Sequence, residues 1–377
     1  MGSLHSASYL RAKERYPDLA LTPRLVVVAD PVEERARAAA ELFGFESWTT
    51  DAAEAIEHPD VEAASLTTPN DSHLPLGLAL AAAGKHVWGE KPLGRYPEET
   101  ARIAQALAEA DVRSTVGYNY RHAPMVAFAR ELIEAGEIGE VRTYRGVFLV
   151  DYAANPNRAL SWRFSKQVSG LGVLGDLMSH VVDMAQSLAG PVESVSALGE
   201  TQIPRRPKGE PGQSDQFNLV DGGELGPVEN EDYVSSLASF ANGASGSFEV
   251  SRVNVGHPVG MAFEVRGTKG ALAWSFERMN ELKLYYGEPG ESGSGFRTIL
   301  AGPTHGDFVR FQPNQGNAMS YDDLKTIEAA TFIRSIAEGR DLSPHAGDAL
   351  ATAKVLEAMR RSFSSLRWET VGSIDAE

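Results

Sequence analysis

Lys91 sits in Glu90-Lys91-Pro92, directly after the apolar run "HVWG". An ammonium at the carboxyl end of a parallel strand, its backbone restricted by the following proline, points into the crevice where open α/β sheets bind ligands. Far along the chain, "SGLGVLGDLMSHVVDMAQSLAG" carries Asp176 and His180. Four residues apart on a helix, they lie within about 40° of each other on one face. A carboxylate one turn from an imidazole fixes its tautomer and stabilises the imidazolium formed when it takes a proton, so His180 is a competent general base. Each feature also has a plainer reading: a solvated lysine, a helix-terminal acid, a histidine packed on a sheet.

Two further loops follow strands. Asp30 ends "RLVVVAD", where a dinucleotide fold puts the acid that hydrogen-bonds an adenosine ribose and repels a 2'-phosphate. With Glu33 it equally forms a capping-box pattern, and both roles can hold at once. After "VEAASL" comes "TTPNDSH", in which Thr67, Thr68 and Asn70 offer donors to a pyrophosphate or nicotinamide. Pro69 and Asn70 are also ordinary turn residues.

These loops need a frame. "RLVVVAD" reads as a buried strand, "PVEERARAAAELFG" as a helix closed by Gly44, and "VEAASLTT" as the next strand. "HLPLGLALAAAGK", "HVWGEKP", "EETARIAQALAEA" and "STVGYNY" continue the alternation, the signature of β-α units and a parallel sheet. From about Val141 the texture changes to longer alternating strands: "VRTYRGVFLV", "YVSSLASF", "GASGSFEVSR", "MAFEVRG", "ALAWSF" and "LKLYYG". They predict a large, mainly antiparallel sheet with one covered face. The segment 201–227 is rich in Gly, Pro and charge and reads as a long surface loop, and helices are expected over 322–338 and 347–363.

At 377 residues the chain is long enough for two domains. A net charge of -16 without a Lys/Arg cluster argues against nucleic acid as a partner, and no stretch approaches the roughly 20 apolar residues of a membrane span. The absence of cysteine excludes thiolate catalysis and Cys-bound zinc, and fits a cytoplasmic location. His73, His86, His122, His180 and Asp176 are a candidate metal set, as in a hydrolase or lyase. No two imidazoles share the compact i, i+4 spacing of a zinc helix, so no metal is expected.

Asp30, "TTPN", Glu90-Lys91-Pro92, "GYNYRHAP", "SWRF", the glycine-rich approach and the Asp-x-x-x-His helix occur in the order and spacing of the Gfo/Idh/MocA oxidoreductases, and nearly the whole chain resembles them. Leu160 to Gly190, "GFRTILAGPTH" and "IEAATFIRSIAEGR" look like the levoglucosan-type sugar dehydrogenases within that family.

The resemblance implies a Rossmann, doubly wound domain over 1–122 for NAD, with NADP as the variant cofactor. It also implies an α/β domain over 123–377 whose sheet packs subunits into a homo-oligomer (a dimer or tetramer), and a sugar or cyclitol bound between the domains. The roles it carries over are Lys91, Asp176 and His180 as the catalytic set, with Tyr120 and Arg121 beside the substrate. Gly2, His5, Asp30, Thr67, Thr68, Pro69, Asn70, His73, Glu90, Lys91, Asn119, Trp162 and Arg163 fall to the cofactor. Met178 replaces a small residue of the family and is expected to add bulk near the pocket.

Members of the family open with a strand and Gly-x-Gly-x-x-Gly, then two residues and a His. Gly2 and His5 fit the last glycine and that His, so the first strand and two glycines are expected upstream of Met1. The alternative is a non-catalytic, truncated binding protein of the same fold.

Overall fold

The computed structural model describes residues 1–209, 218–288 and 290–374. The N-terminal third alternates helix and strand as its pattern dictates. α1 (Gly2–Arg15) leads to β1 (Val27–Ala29), α2 (Glu33–Phe43), β2 (Ser47–Thr49), α3 (Ala52–Glu57), β3 (Ala63–Leu66) and α4 (His73–Ala82), and then to β4 (His86–Gly89), α5 (Pro97–Glu109) and β5 (Ser114–Val116). All pairs are parallel, but the sheet is in two pieces, β1-β2 and β3-β4-β5. No described strand bonds to both β1 and β3. Expected to be buried, β1 is therefore partly exposed, since one of its edges has no partner among the described residues.

After α6 (Pro124–Glu134), β6 (Val141–Leu149) enters a nine-stranded sheet. A short α7 (Lys166–Ser169) and α8 (Ser179–Ala189) intervene before β7 (Val192–Glu200). β8 (Arg205–Pro207) and β9 (Leu225–Pro227) form a ribbon inside the expected loop, of which 210–217 lie outside the described residues.

β10 (Tyr233–Phe240), β11 (Ser245–Ser251), β12 (Gly260–Gly267), β13 (Ala271–Ser275), β14 (Glu281–Tyr286) and β15 (Gly295–Leu300) follow. α9 (Phe308–Phe311), α10 (Tyr321–Glu338), α11 (Ala346–Ser365) and β16 (Glu369–Thr370) close the chain. The spatial order is β15-β14-β13-β12-β6-β11-β10-β7-β16; only β6 and β11 pair in parallel.

Alternation along these strands sends Tyr144, Phe148, Phe240, Phe248, Val250, Phe263 and Trp274 to one face, where Val181, Val182, Met184 and Ala185 of α8 cover them. Each fully buried aromatic or aliphatic side chain there contributes about 1.5–3 kcal/mol. β7 escapes the alternation rule because a bulge opposite Ser239/Phe240 puts Val192 and Val195, three apart, on the same side.

The last helices return to the first domain. Ser114 N–H donates to Asp341 (2.8 Å), Val116 N–H donates to the Pro344 carbonyl (3.1 Å), and Ala346 and Ala349 complete the apolar cluster around Val87, Ile103 and Leu107. The expected bipartite frame is present, with its C-terminal helices serving both halves.

Candidate active site

Lys91 follows β4, and its peptide with Pro92 is cis. Its ammonium crosses the crevice and donates to Asp176 Oδ1 at 2.6 Å and to the Asp176 carbonyl at 2.8 Å. Asp176 does not lie on a regular α-helix, as its spacing to His180 had implied. Leu174–Met178 form a π-helical turn that passes into α8, the wider winding found at functional sites.

The glycines ahead of that turn serve packing. A Cβ on Gly172 would collide with the Glu231 carbonyl, and Glu231 in turn accepts the N–H groups of Val173 and Leu174. Burial alone would push the Asp176 carboxyl up, but the charges of Lys91 and of Arg163, 3.9 Å away, outweigh it and hold the group well below the usual carboxylate range.

His180 is 5% exposed, and its ring meets those of Tyr120, Tyr118 and Phe148 edge-on at 4.9, 5.7 and 5.8 Å. Among the described residues it has no hydrogen-bond partner; Asp176 acts on it through space, not by orienting the ring. Burial first and the Lys91 charge second hold the imidazole well below its ordinary value, so near neutrality it is uncharged. Lys91, Asp176 and His180 thus share one electrostatic environment at the carboxyl end of β4. The ammonium has given two of its three N–H groups to Asp176.

Residues fitting a dinucleotide line the ends of β1 and β3. Asp30 is half-buried and accepts the Val32 N–H at 2.9 Å, a local turn ahead of α2; Val32 is the N-cap and no side chain caps the helix, so the expected capping box is absent. Thr67 is partly exposed, while Thr68 and Pro69 are exposed. Gly2 abuts this loop: a Cβ on it would lie 3.2 Å from Thr67 Oγ1. No side chain caps α1, and while the Leu4 N–H donates to the Met1 carbonyl, those of Gly2 and Ser3 have no acceptor among the described residues and lie beside Thr67. Asn119 Nδ2 is buried, with the Tyr321 hydroxyl nearby but no hydrogen-bond partner of good geometry among the described residues. The residues present therefore fit an NAD molecule, which Asp30, Gly2, Thr67, Thr68 and Pro69 are placed to hold.

Several expected contacts are internal instead. His5 is 1% exposed, stacks on Trp88 at 3.6 Å and bonds to Ser65 and Glu90, so it belongs to the interior and not to the cofactor. His73 is buried between the carbonyls of Thr68 (2.9 Å) and Pro92 (3.0 Å), a strut joining two crevice loops. Asn70 spends its amide on the Ser169 carbonyl, fastening the first domain to α7. The Glu90 carboxylate turns inward behind Lys91.

Arg121, expected at the substrate, is committed to Asp183 at 2.7 Å through Nε and to Ser343 at 2.6 Å. Its charge neutralises a buried carboxylate and does not face the crevice chemistry. Met178 is fully buried in the core, so its bulk fills the interior rather than the pocket. Tyr120 packs edge-on to His180, Phe148 and Phe276, and Trp162 carries the Arg163 guanidinium 4.6 Å above its ring. His86 accepts the Arg113 N–H, away from the crevice.

Lys325 and Glu328 of α10 escaped sequence reasoning. His5, Glu90 and Glu328 are spaced like metal ligands, but the Lys325 ammonium lies 2.6 Å from Glu90 and 3.0 Å from Glu328 and fills the place of a cation. Two opposite charges on the apolar stripe of a helix were the available signal.

Comparison with known proteins bears on the whole chain. Residues 1–118 match the model of an oxidoreductase family with an NAD-binding Rossmann fold, and 126–273 match the GFO/IDH/MocA C-terminal domain. A levoglucosan dehydrogenase from Pseudarthrobacter phenanthrenivorans is 38% identical over 378 residues, covering 100% of this chain and 97% of that protein. The chain belongs to the Gfo/Idh/MocA oxidoreductases.

Within this family, a scyllo-inositol 2-dehydrogenase (NAD(+)) of Bacillus subtilis is 32% identical over 66% of this chain and 65% of its own length. A solved levoglucosan dehydrogenase, in complex with NADH and L-sorbose, superposes with a TM-score of 0.93 at 36% identity, covering 99% of this chain and 96% of that one. An NAD binding oxidoreductase from Klebsiella pneumoniae gives 0.91 at 35%, covering 99% and 97%. No described helix is long and apolar enough to cross a membrane.

Proposed function

We propose that the crevice oxidises a secondary hydroxyl of a sugar, anhydrosugar or cyclitol, with His180 as general base. The supporting observation is the Lys91 ammonium, held 2.6 Å from Asp176 beside a buried, uncharged imidazole. His180 removes the hydroxyl proton. Lys91 directs its remaining N–H to the same oxygen and stabilises the negative charge that develops there, while Asp176 anchors that ammonium. Bound NAD supplies the hydride acceptor. Tyr120, Trp162 and Arg163 line the substrate side, and the aromatic ring around His180 keeps bulk water from the reacting oxygen.

The substrates named for the relatives, levoglucosan and scyllo-inositol, are polyhydroxylated rings that such a site would accept. Asp30 favours NAD over NADP by charge. The open face of the nine-stranded sheet fits packing against a second copy of the chain, and the cytoplasm is the compartment that suits the reaction.

A panel of inositols, aldoses and anhydrosugars, incubated with NAD and followed by NADH absorbance, tests the reading. Turnover on at least one of them is expected, with His180→Ala slower by about 10²- to 10⁴-fold at nearly unchanged NADH affinity. Failure of NADH even to bind, read by its fluorescence, would favour the non-catalytic alternative.

A further inference from the structure

Two ionisable side chains on the buried stripe of α10 take no part in the chemistry above. Lys325 is 0% exposed, and so is Glu328 one turn on. Burying an ammonium is strongly unfavourable unless it is paired and fully hydrogen-bonded, and well-packed apolar residues do as well for stability alone. What distinguishes Lys325 is where its bonds lead. Its Nζ donates to Glu90 Oε1 at 2.6 Å and to Glu328 Oε1 at 3.0 Å, and the Trp88 indole N–H donates to the same Glu328 oxygen. His5 Nε2 meets Glu90 Oε1 at 3.0 Å. The other Glu90 oxygen accepts the backbone N–H of Lys91 at 3.3 Å. On its far side the carboxylate is wedged by Gly117, where a Cβ would lie 2.8 Å from Glu90 Oε2. Burial alone would push the Glu90 carboxyl up, but the Lys325 charge and the His5 bond hold it well below the ordinary range, so the clamp is between full charges.

Lys91 is consequently gripped at both ends by the C-terminal domain: its ammonium by Asp176, and its backbone, through Glu90, by α10. We propose that Lys325 is a positioning residue, whose buried ammonium locks Glu90 and thereby aims Lys91 across the crevice at Asp176 and the substrate oxygen. The inference rests on the dehydrogenase reading for its catalytic consequence but not for its geometry. A displacement of about 1 Å at a reacting group costs on the order of 10²-fold in rate, so loosening this clamp appears in kcat rather than in binding.

The test compares wild type with Lys325→Met and with Lys325→Met/Glu328→Met; the second variant also removes one of the two carboxylates the ammonium holds, so that less buried negative charge is left unpaired beside Glu90. Thermal midpoint and NADH affinity report the fold. Acylation of each lysine by a small amine-reactive reagent, read by peptide mass spectrometry, reports the freedom of the Lys91 ammonium. Lys91 alone is expected to label about 5-fold faster, as loss of one ordinary hydrogen bond implies. With a polyol that wild type oxidises, kcat falls about 10²-fold while KM and NADH affinity hold. Unchanged Lys91 labelling in a folded variant overturns the proposal. So does faster labelling of every lysine, which would make Lys325 merely structural. Lack of wild-type turnover on every polyol contradicts the dehydrogenase reading alone, and the labelling comparison decides on Lys325 in either case.

Discussion

Lowering the pH from 8 to 5 removes a definite part of this protein's stability through one side chain, His5. Buried against Trp88 and Glu90, its imidazole is lowered from 6.5 to about 4, chiefly by burial, with its bond to Glu90 opposing. The folded value is depressed, so the folded state binds fewer protons than the unfolded chain between these two values. Stability is fully present above pH 6.5 and is lost as pH falls toward 4. At pH 5 the unfolded imidazole is almost fully protonated and the folded one only about a tenth so, which amounts to about 2 kcal/mol; the complete loss, below pH 4, is about 3 kcal/mol.

Urea denaturation of wild type and His5→Gln at pH 8, 6.5 and 5 measures it. Glutamine keeps a donor toward Glu90 but does not titrate, and the remaining histidines contribute equally to both proteins. Between pH 8 and 5 the wild type should lose about 2 kcal/mol more than the variant, roughly 1 M in urea midpoint. Parallel pH dependences would refute the reasoning and put His5 in contact with solvent.

Asp30 accepts the Val32 N–H in the turn before α2 and, in the proposed reading, holds the ribose. Asp30→Ser keeps an oxygen for that turn and removes the charge, and is expected to erode the preference for NAD over NADP by about 10- to 100-fold in kcat/KM, the range for a lost charge-assisted hydrogen bond; an unchanged ratio would leave the residue with the turn alone. The open sheet face carries Leu237, 56% exposed, and Leu198, 49% exposed, on neighbouring strands β10 and β7. Leu237→Arg should shift light-scattering mass from oligomer toward monomer at unchanged thermal stability, and an unchanged mass would exclude this face as the subunit contact.

The large features were legible because they rest on local pattern. Alternation announced β6 and β10 to β14, and the Ala-rich periods announced α2, α4 and α5. Lys91, Asp176 and His180 stood out because each follows a strand or shares a turn, but the catalytic roles proposed for them came from the family resemblance. What spacing could not show was partnership. Asp176 is four residues from His180, yet the π turn and the reach of Lys91 give its carboxylate to the ammonium instead. Arg121, His73 and Asn70 are polar residues in crevice loops, and only tertiary structure shows that Asp183, two carbonyls and Ser169 claim them. Lys325 was missed for the opposite reason: its place on the apolar stripe of α10 was a signal, but a lysine within a helix reads as solvated until the strand it packs against is known. β7 was lost to its bulge.

The account stands on Lys91 and His180 acting on one oxygen, and a double-mutant cycle measures that directly. kcat/KM for the best polyol is compared among wild type, Lys91→Met, His180→Ala and the double variant. Groups that serve the same transition state should be strongly non-additive, the double variant being little slower than the worse single one. Two losses that simply multiply would mean the ammonium and the imidazole work independently, and the central claim would fail.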